Sequence, residues 1–454
     1  MIYDTIVAIA TGETVSAIGL IRLSGSNAIS ITENIFKGKI LSRADSHTLH
    51  YGRIIDEDGR ILDDVVIGIY KGPKSYTTED VIEINCHGSP FILKEITSLL
   101  IRQGARPADP GEFTMRAFLN GRMDLSQAEA VADLISSSSQ ASHRMAMQQM
   151  KGEVSSEIRY LREKLIDFAS LIELELDFSE EDVVFADRSK LEELVNALIM
   201  ITSRLKDTFH LGNAIKEGIP TVIAGRPNAG KSTLLNKLLQ EDRAIVSATP
   251  GTTRDTIEEI LVIDGIQFRL TDTAGIREAH DEIESMGIQR TIDKIEKASI
   301  LIYVFDISIL SPKDVADDIL AISPENVKII LAANKMDRNP YADSSEWKVN
   351  DYPVIPISAL NDMNIVFLRE VIRDTIKNEI PQDIPMISSA RHYHSLDRTE
   401  MRLKEVLNGL ISGVTHDLIA QDIRQALYHL GEITGQVSSD EILGNIFGRF
   451  CIGK

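Results

Sequence analysis

Eight consecutive residues, Gly225-Arg-Pro-Asn-Ala-Gly-Lys-Ser232, have the types and spacing to hold a polyphosphate. The glycines let backbone N–H groups converge on the α- and β-phosphates, Lys231 can reach the β- and γ-phosphates, and the Ser232 hydroxyl suits a Mg²⁺ ion. By itself this loop identifies only a nucleoside triphosphate site. Thr252-Thr-Arg-Asp255, Asp272-Thr-Ala-Gly275 and Asn334-Lys-Met-Asp337 follow it in the order of a guanine-nucleotide switch. The Asp337 carboxylate can accept two N–H bonds from the guanine edge, where adenine has no matching pair of donors. A buried carboxylate left unpaired penalises ATP. Asn334 can bond the base, Lys335 can lie along its face, and Ser358-Ala359 can offer a backbone N–H to the guanine oxygen.

The phosphate side of the site draws on Asn228, Ala229, Gly230 and Thr233 as well as Lys231 and Ser232. Asp272 can hold the Mg²⁺ shell through water, and Gly275, after Thr273 and Ala274, can give its N–H to the γ-phosphate. Thr253 is the switch threonine expected to ligate Mg²⁺ only in the triphosphate state, within a segment that also brings Ser247, Thr249, Gly251 and Thr252. Ile276 follows Gly275 where Ras-like enzymes carry a water-orienting glutamine. Another group must therefore orient water and offset transition-state charge. The Asn228 side chain is a neutral oxygen ligand for a monovalent cation beside the phosphates, where an arginine finger would otherwise act; a simple turn residue is the alternative. Acidic residues of 278–284 are candidates for the water, against a solvated acidic loop.

These groups need a scaffold with a parallel sheet. Apolar runs at Thr221–Ala224, Ile300–Phe305, Lys328–Ala332 and Val354–Ile357 alternate with helical segments, which predicts a doubly wound α/β module over residues 218–380. Residues 1–118 read as α+β, with strands predicted at Thr5–Ala10, Ala17–Leu23, Leu49–Ile55, Val65–Tyr70 and Val81–Asn85 and a turn at Asp58-Gly59. Between these two regions, 119–217 turns helical. Ile158, Leu161, Leu165, Phe168 and Ile172 form one amphipathic stripe, and Leu191, Leu194, Leu198, Ile201 and Leu205 another. Residues 381–454 return to helix after a proline-bounded linker. The α/β module is thus either inserted into one helical domain or followed by a separate C-terminal one.

The 454-residue chain is too long for one core, and its formal charge of −20 has no basic segment to offset it. Residues 381–454 carry 7 Lys+Arg against 9 Asp+Glu. Nucleic acid held by phosphate neutralisation alone is therefore not expected, and any RNA must be met through a local patch or with help. Two cysteines, Cys86 and Cys451, suit a reducing cytosol and exclude a disulfide framework. Cys86-His87 reads as a strand end, and Glu180-Glu-Asp182 as a solvated loop, rather than metal sites. Without a basic leader or an apolar run of membrane length, the chain reads as soluble and cytoplasmic.

Asn228, the Thr252–Asp255 switch, Gly111-Glu-Phe-Thr-Met-Arg-Ala-Phe-Leu-Asn-Gly-Arg-Met-Asp-Leu125 and the terminal Cys451-Ile-Gly-Lys454 together resemble the MnmE (TrmE) family of tRNA-modifying GTPases. The likeness runs from near residue 4 to the last lysine. It implies an N-terminal folate-binding and dimerising domain, a helical domain in two segments, 119–217 and 381–454, and a GTPase domain inserted between them. It also implies a homodimer working with a flavin-dependent MnmG (GidA) partner on carbon 5 of the wobble uridine of certain tRNAs. The carbon comes from a 5-formyl- or 5,10-methylene-tetrahydrofolate. By the same resemblance Arg22, Glu83, Arg122 and Lys454 bind folate, with Arg122 standing where a lysine also occurs. Asn228, Ser247, Thr249 and Thr252 ligate K⁺, and Glu284 orients water. Arg254 and Cys451 join Glu284 as catalytic candidates, Cys451 as a nucleophile near folate and uridine, since an adjacent ammonium favours a thiolate. The competing readings are a ribosome-assembly switch, which should carry a basic RNA-binding domain, and a membrane-remodelling GTPase, which should carry a cationic amphipathic helix.

Overall fold

The computed structural model describes residues 4–12, 14–177, 188–240, 258–272, 294–322, 327–341, 343–380 and 384–453. It divides into two compact units, one of Met1–Ala132, Gln149–Asp177 and Ile423–Lys454, the other of Asp133–Gln148 and Phe178–Asp422.

The first unit is built on a sheet of strands β1 (Ile6–Ile9), β2 (Ile18–Ser24), β3 (Phe36–Lys37), β4 (Thr48–Ile55), β5 (Ile61–Tyr70), β6 (Val81–His87) and β7 (Arg106–Pro107). Its order is β3-β4-β5-β6-β2-β1-β7, antiparallel except where β1 meets β7. The predicted strands all occur, and Gly59 closes the β4–β5 hairpin at φ +78°. Alternation sends Ile21, Leu23, Ile82 and Ile84 to one face, where helices α1 (Ala28–Ile35) and α2 (Pro90–Arg102) cover them with Ile31, Ile35, Leu93, Ile96 and Leu99. Arg22 and Glu83 consequently face the other way. Helix α3 (Glu112–Leu119) opens after Gly111 and is joined to the sheet edge by charge. Arg116, 2% exposed, binds Asp4 at 2.7 Å and Glu112 at 2.9 Å, and Arg106 binds Glu112 at 2.6 Å.

In the same unit, α4 (Leu125–Ser136) meets Phe447 of the short helix Asp440–Phe447. The Ile158 to Ile172 stripe lies on α6 (Glu153–Asp177), and all five of its residues are buried; α5 (Gln140–Met150), which precedes it, falls mostly in the second unit.

The second unit contains α7 (Arg188–Asp207), α8 (Phe209–Glu217) and a sheet ordered β13-β12-β11-β8-β10-β9. These strands are β8 (Ile219–Ala224), β9 (Glu258–Ile263), β10 (Ile266–Asp272), β11 (Ile300–Asp306), β12 (Lys328–Asn334) and β13 (Val354–Pro356). All are parallel except β9 at the edge, which pairs with β10 across Asp264-Gly265. Every residue of β11 is buried because helices pack on both faces, which is why it reads as an unbroken apolar run. Helix α9 (Lys231–Gln240) and helix α11 (Ile365–Lys377) cover one face; α10 (Pro312–Ile322) and Trp347 cover the other.

On α7 the buried stripe is Leu191, Val195, Leu198, Thr202 and Leu205. Leu194 and Ile201 lie half-buried beside it. The spacing 4, 3, 4, 3 fits one helix face as well as the predicted 3, 4, 3, 4, and the partner decides between them: α12 (Ala390–Ser412) binds Lys206 through Asp397 and Glu400. The Phe209 and Tyr393 rings lie 4.8 Å apart, tilted by 33°.

Candidate functional site: a nucleotide site and a separate arginine-lined cavity

In the second unit the parallel strands end together, and the nucleotide motifs collect at their carboxyl ends. Strand β8 runs through the Gly225–Ser232 loop into α9, whose first residue is Lys231, so the helix N-terminus faces the loop. Gly230 takes φ +98°, and a Cβ there would strike the Asn334 amide, so the loop and the base motif can meet only with glycine at 230. Asn334 is buried; its Nδ2 donates to the Ala229 carbonyl at 2.8 Å and its Oδ1 accepts the Ala359 N–H at 3.0 Å. The Ser358 hydroxyl donates to Asp337 at 2.6 Å, which holds one carboxylate oxygen in place. Lys335 donates to the Asn228 carbonyl at 2.8 Å and to Asp306 at 2.6 Å. The Lys231 ammonium rests on the carbonyls of Gly225 and Arg226, 2.9 and 3.0 Å away.

Asp272 closes β10 and registers with Ile223 of β8, which sets it beside the loop. Asn228, Ser232 and Thr233 are exposed on the open side, while Ala229 is buried. Asn228 holds φ +60° at the loop tip, and Arg226 is drawn outward by Asp318 on α10 at 2.7 and 2.9 Å. Ser247, Thr249, Gly251, Thr252, Thr253, Arg254, Thr273, Ala274, Gly275 and Glu284 lie outside the described residues.

Asp306, which the motifs do not include, is buried next to Lys335. Burial works against its charged form, but hydrogen bonds from Lys335 and Ser308 outweigh it and hold the carboxyl below its ordinary range. Its only sequence signal is its place at the end of an apolar run.

The first unit holds a cavity of about 530 Å³ on the sheet face opposite α1 and α2. Arg22, Glu83 and Arg122 line it together, as do His47, Tyr70, Lys74 and Tyr76. Arg22 donates from Nε and Nη2 to one Glu83 oxygen, at 3.0 and 2.8 Å, and from Nη1 to the Gly453 carbonyl at 3.1 Å. The Tyr76 ring takes the Arg22 and Arg122 guanidinium groups at 5.7 and 5.4 Å, a cation–π arrangement that fixes the wall. Arg122 also donates to the Ser75 carbonyl. Burial, then the Glu83 charge, pushes the Tyr70 phenol above its ordinary range.

Gly453 takes φ +95°, and a Cβ would lie 2.7 Å from the Ile9 carbonyl. The glycine of the terminal motif is therefore what lets the tail lie against β1 and reach Arg22. Cys451 is exposed two residues earlier. Lys454 lies outside the described residues. Cys86 ends as predicted in a strand, is buried, and its thiol is pushed up to about 11 by burial and then by Asp63. The aromatic lining at His47, Tyr70 and Tyr76 is missing from the predicted set, because nothing local marks those rings as neighbours of Arg22.

A doubly wound sheet with a glycine-rich loop at the end of its first parallel strand, and an Asn-Lys-x-Asp motif at the end of the parallel strand two places away, defines a P-loop GTPase module. Family models extend the likeness over nearly the whole chain: "GTP-binding protein TrmE N-terminus" matches residues 5–122 and "MnmE helical domain" residues 125–451. The chain belongs to the MnmE (TrmE) family of tRNA modification GTPases and is a GTP hydrolase acting in tRNA modification. It is 54% identical over 452 residues to the tRNA modification GTPase MnmE of Cytophaga hutchinsonii, covering 99% of this chain and 98% of the other. The MnmE of Flavobacterium psychrophilum is 49% identical over 466 residues and all of both chains. That of Bacteroides fragilis strain YCH46 is 47% identical over 464 residues, 99% of each. The ribosome-assembly alternative is thereby displaced. Among the described residues no helix is long and apolar enough to cross a membrane.

Proposed function

We propose that this chain is the potassium-dependent GTPase of an enzyme pair that builds an aminomethyl or carboxymethylaminomethyl group on carbon 5 of the wobble uridine in certain tRNAs. Its counterpart is a flavin-dependent partner of the MnmG (GidA) kind. The observation that carries the reading is Arg22, bound to Glu83 and to the Gly453 carbonyl inside a cavity that also takes in Arg122. That set fits a reduced folate. Guanidinium groups suit its glutamate carboxylates, Glu83 can accept the N–H pair of its pterin, and Tyr70 and Tyr76 offer ring contacts. The cavity lies within the range of about 300–1,000 Å³ common for small-molecule sites. A bound 5-formyl- or 5,10-methylene-tetrahydrofolate supplies the carbon unit. Arg22 keeps the C-terminal segment at the cavity mouth, with Cys451 as the candidate nucleophile toward uridine and Lys454 as a further folate contact.

At the GTPase site Ser232 and Thr253 would hold Mg²⁺, and Asn228, Ser247, Thr249 and Thr252 would hold K⁺. Asn228 fits this role: its backbone carbonyl is already taken by Lys335, and its exposed amide oxygen is a neutral donor at the loop tip. Glu284 orients the attacking water and Arg254 serves the reacting phosphates.

Residues 1–118 are the folate-binding and dimerisation domain, and 119–217 with 381–454 form one helical domain interrupted by the GTPase domain, 218–380. Support for the interruption comes from the packing of α7 on α12 through Lys206, and of α6 on the following chain through a hydrogen bond from Arg162 to the Leu427 carbonyl. The protein works as a cytoplasmic homodimer. Mass spectrometry of tRNA nucleosides from cells lacking the protein tests the whole reading: wobble uridines should lose their carbon-5 substituent and regain it on complementation. Unchanged nucleosides would overturn it.

A further inference from the structure

Asp306 ends β11, where the register sets it level with Asn334 on β12. One carboxylate oxygen is anchored by its own turn, accepting the Ser308 N–H at 3.0 Å and the Ser308 hydroxyl at 2.6 Å. The other accepts the Lys335 ammonium at 2.6 Å. The same ammonium donates to the Asn228 carbonyl at 2.8 Å. Lys335 and Asn228 are both non-glycine residues in the left-handed region, at φ +64° and +60°, conformations that persist only when neighbours impose them. A buried carboxylate fixed by its own turn is such a neighbour. It holds the Lys335 ammonium, which at the same time ties the base motif to the loop that must meet the phosphates.

We infer that Asp306 is a positioning residue of the nucleotide site, acting through Lys335 to couple the base-recognition motif to the tip of the phosphate loop. It touches no nucleotide atom itself. Replacing its charge frees the ammonium to leave Asn228, so the base face and the loop tip lose their common anchor. This inference rests on reading Asn334–Asp337 as the guanine site.

The test is a titration of fluorescently labelled GDP into the full-length protein, with steady-state GTP hydrolysis beside it. Asp306→Asn keeps an oxygen for Ser308 and removes the charge. It should weaken GDP roughly tenfold and raise KM more than it lowers kcat, as expected for a lost binding contact. Asp306→Asn combined with Lys335→Ala should bind no worse than Lys335→Ala alone, because both changes remove one shared interaction. Should Asp306→Asn not fold, Ser308→Ala keeps the charge, drops one anchor and should cost about two- to fivefold. Wild-type affinity in the Asp306 or Ser308 variant, or additive losses in the double variant, would overturn the inference. Asp337→Asn serves as the independent arm. A shift of preference from GDP to xanthosine diphosphate upholds the guanine-site reading whatever Asp306 does; retained GDP preference fells both.

Discussion

Asn228 shows how much a single residue's setting matters. Its type and position in the phosphate loop point to a cation ligand, yet its left-handed backbone and the engagement of its carbonyl by Lys335 are what leave the amide oxygen as its available donor. Hydrolysis by the wild type should therefore be much faster in KCl than in NaCl, and Asn228→Ala should erase the difference. Equal wild-type rates in the two salts would remove potassium from the site. Arg22 and Glu83 were legible as site candidates only through the family resemblance, since each alone reads as a surface charge. Their register, Arg22 opposite Glu83 on adjacent strands, makes them one unit. The aromatic residues of the cavity were not legible, because rings 25 and more residues from Arg22 become its neighbours only once β5, β6 and the loop between them are in place.

Among the elements, strands were read with greater fidelity than helix faces. Apolar runs bounded by turns mark β8, β11 and β12 wherever they pack, whereas the α7 stripe shifts to Val195 and Thr202 because α12 selects the face that is buried. The joint between α3 and the sheet edge is a charge network, and it makes the first unit acid-sensitive. Burial opposes the ionised forms of Glu112 and Asp4, but hydrogen bonds and charge from Arg106 and Arg116 outweigh it and hold both carboxyls below their ordinary values of 4.5 and 3.8. Folding then releases protons near those values, so stability is full above about pH 4.5 and declines as pH falls through the lowered folded values. Acid titration followed by circular dichroism should show this decline, with a shallower slope for Glu112→Gln. An unchanged slope would assign the acid sensitivity to other carboxylates.

At the scale of the molecule, the two units have separate cores, one under the antiparallel sheet and one around the parallel sheet. Unfolding need not be a single transition. GDP binds only the folded form of the unit that carries the Gly225–Ser232 loop, so calorimetry with saturating GDP should raise one transition and leave the other in place. At a hundredfold excess over Kd the gain is about 2.7 kcal/mol. Equal shifts of both transitions would mean that the units unfold together. Charge belongs to this scale as well: the chain carries −20 with no basic segment, which points tRNA contact toward a local patch or a partner's help.

The sequence by itself determined that the chain carries a GTPase site on a doubly wound α/β module, because phosphate loops and buried parallel strands are local patterns with fixed spacing. Tertiary structure decided the rest. It chose the buried face of α7, set Asp306 against Lys335, and brought Arg22, Glu83, Tyr76 and Arg122 to one cavity with the Gly453 carbonyl, 431 residues from Arg22. Those contacts depend on strand register and on a glycine that lets the tail lie against β1, and neither is written in the spacing of neighbouring residues.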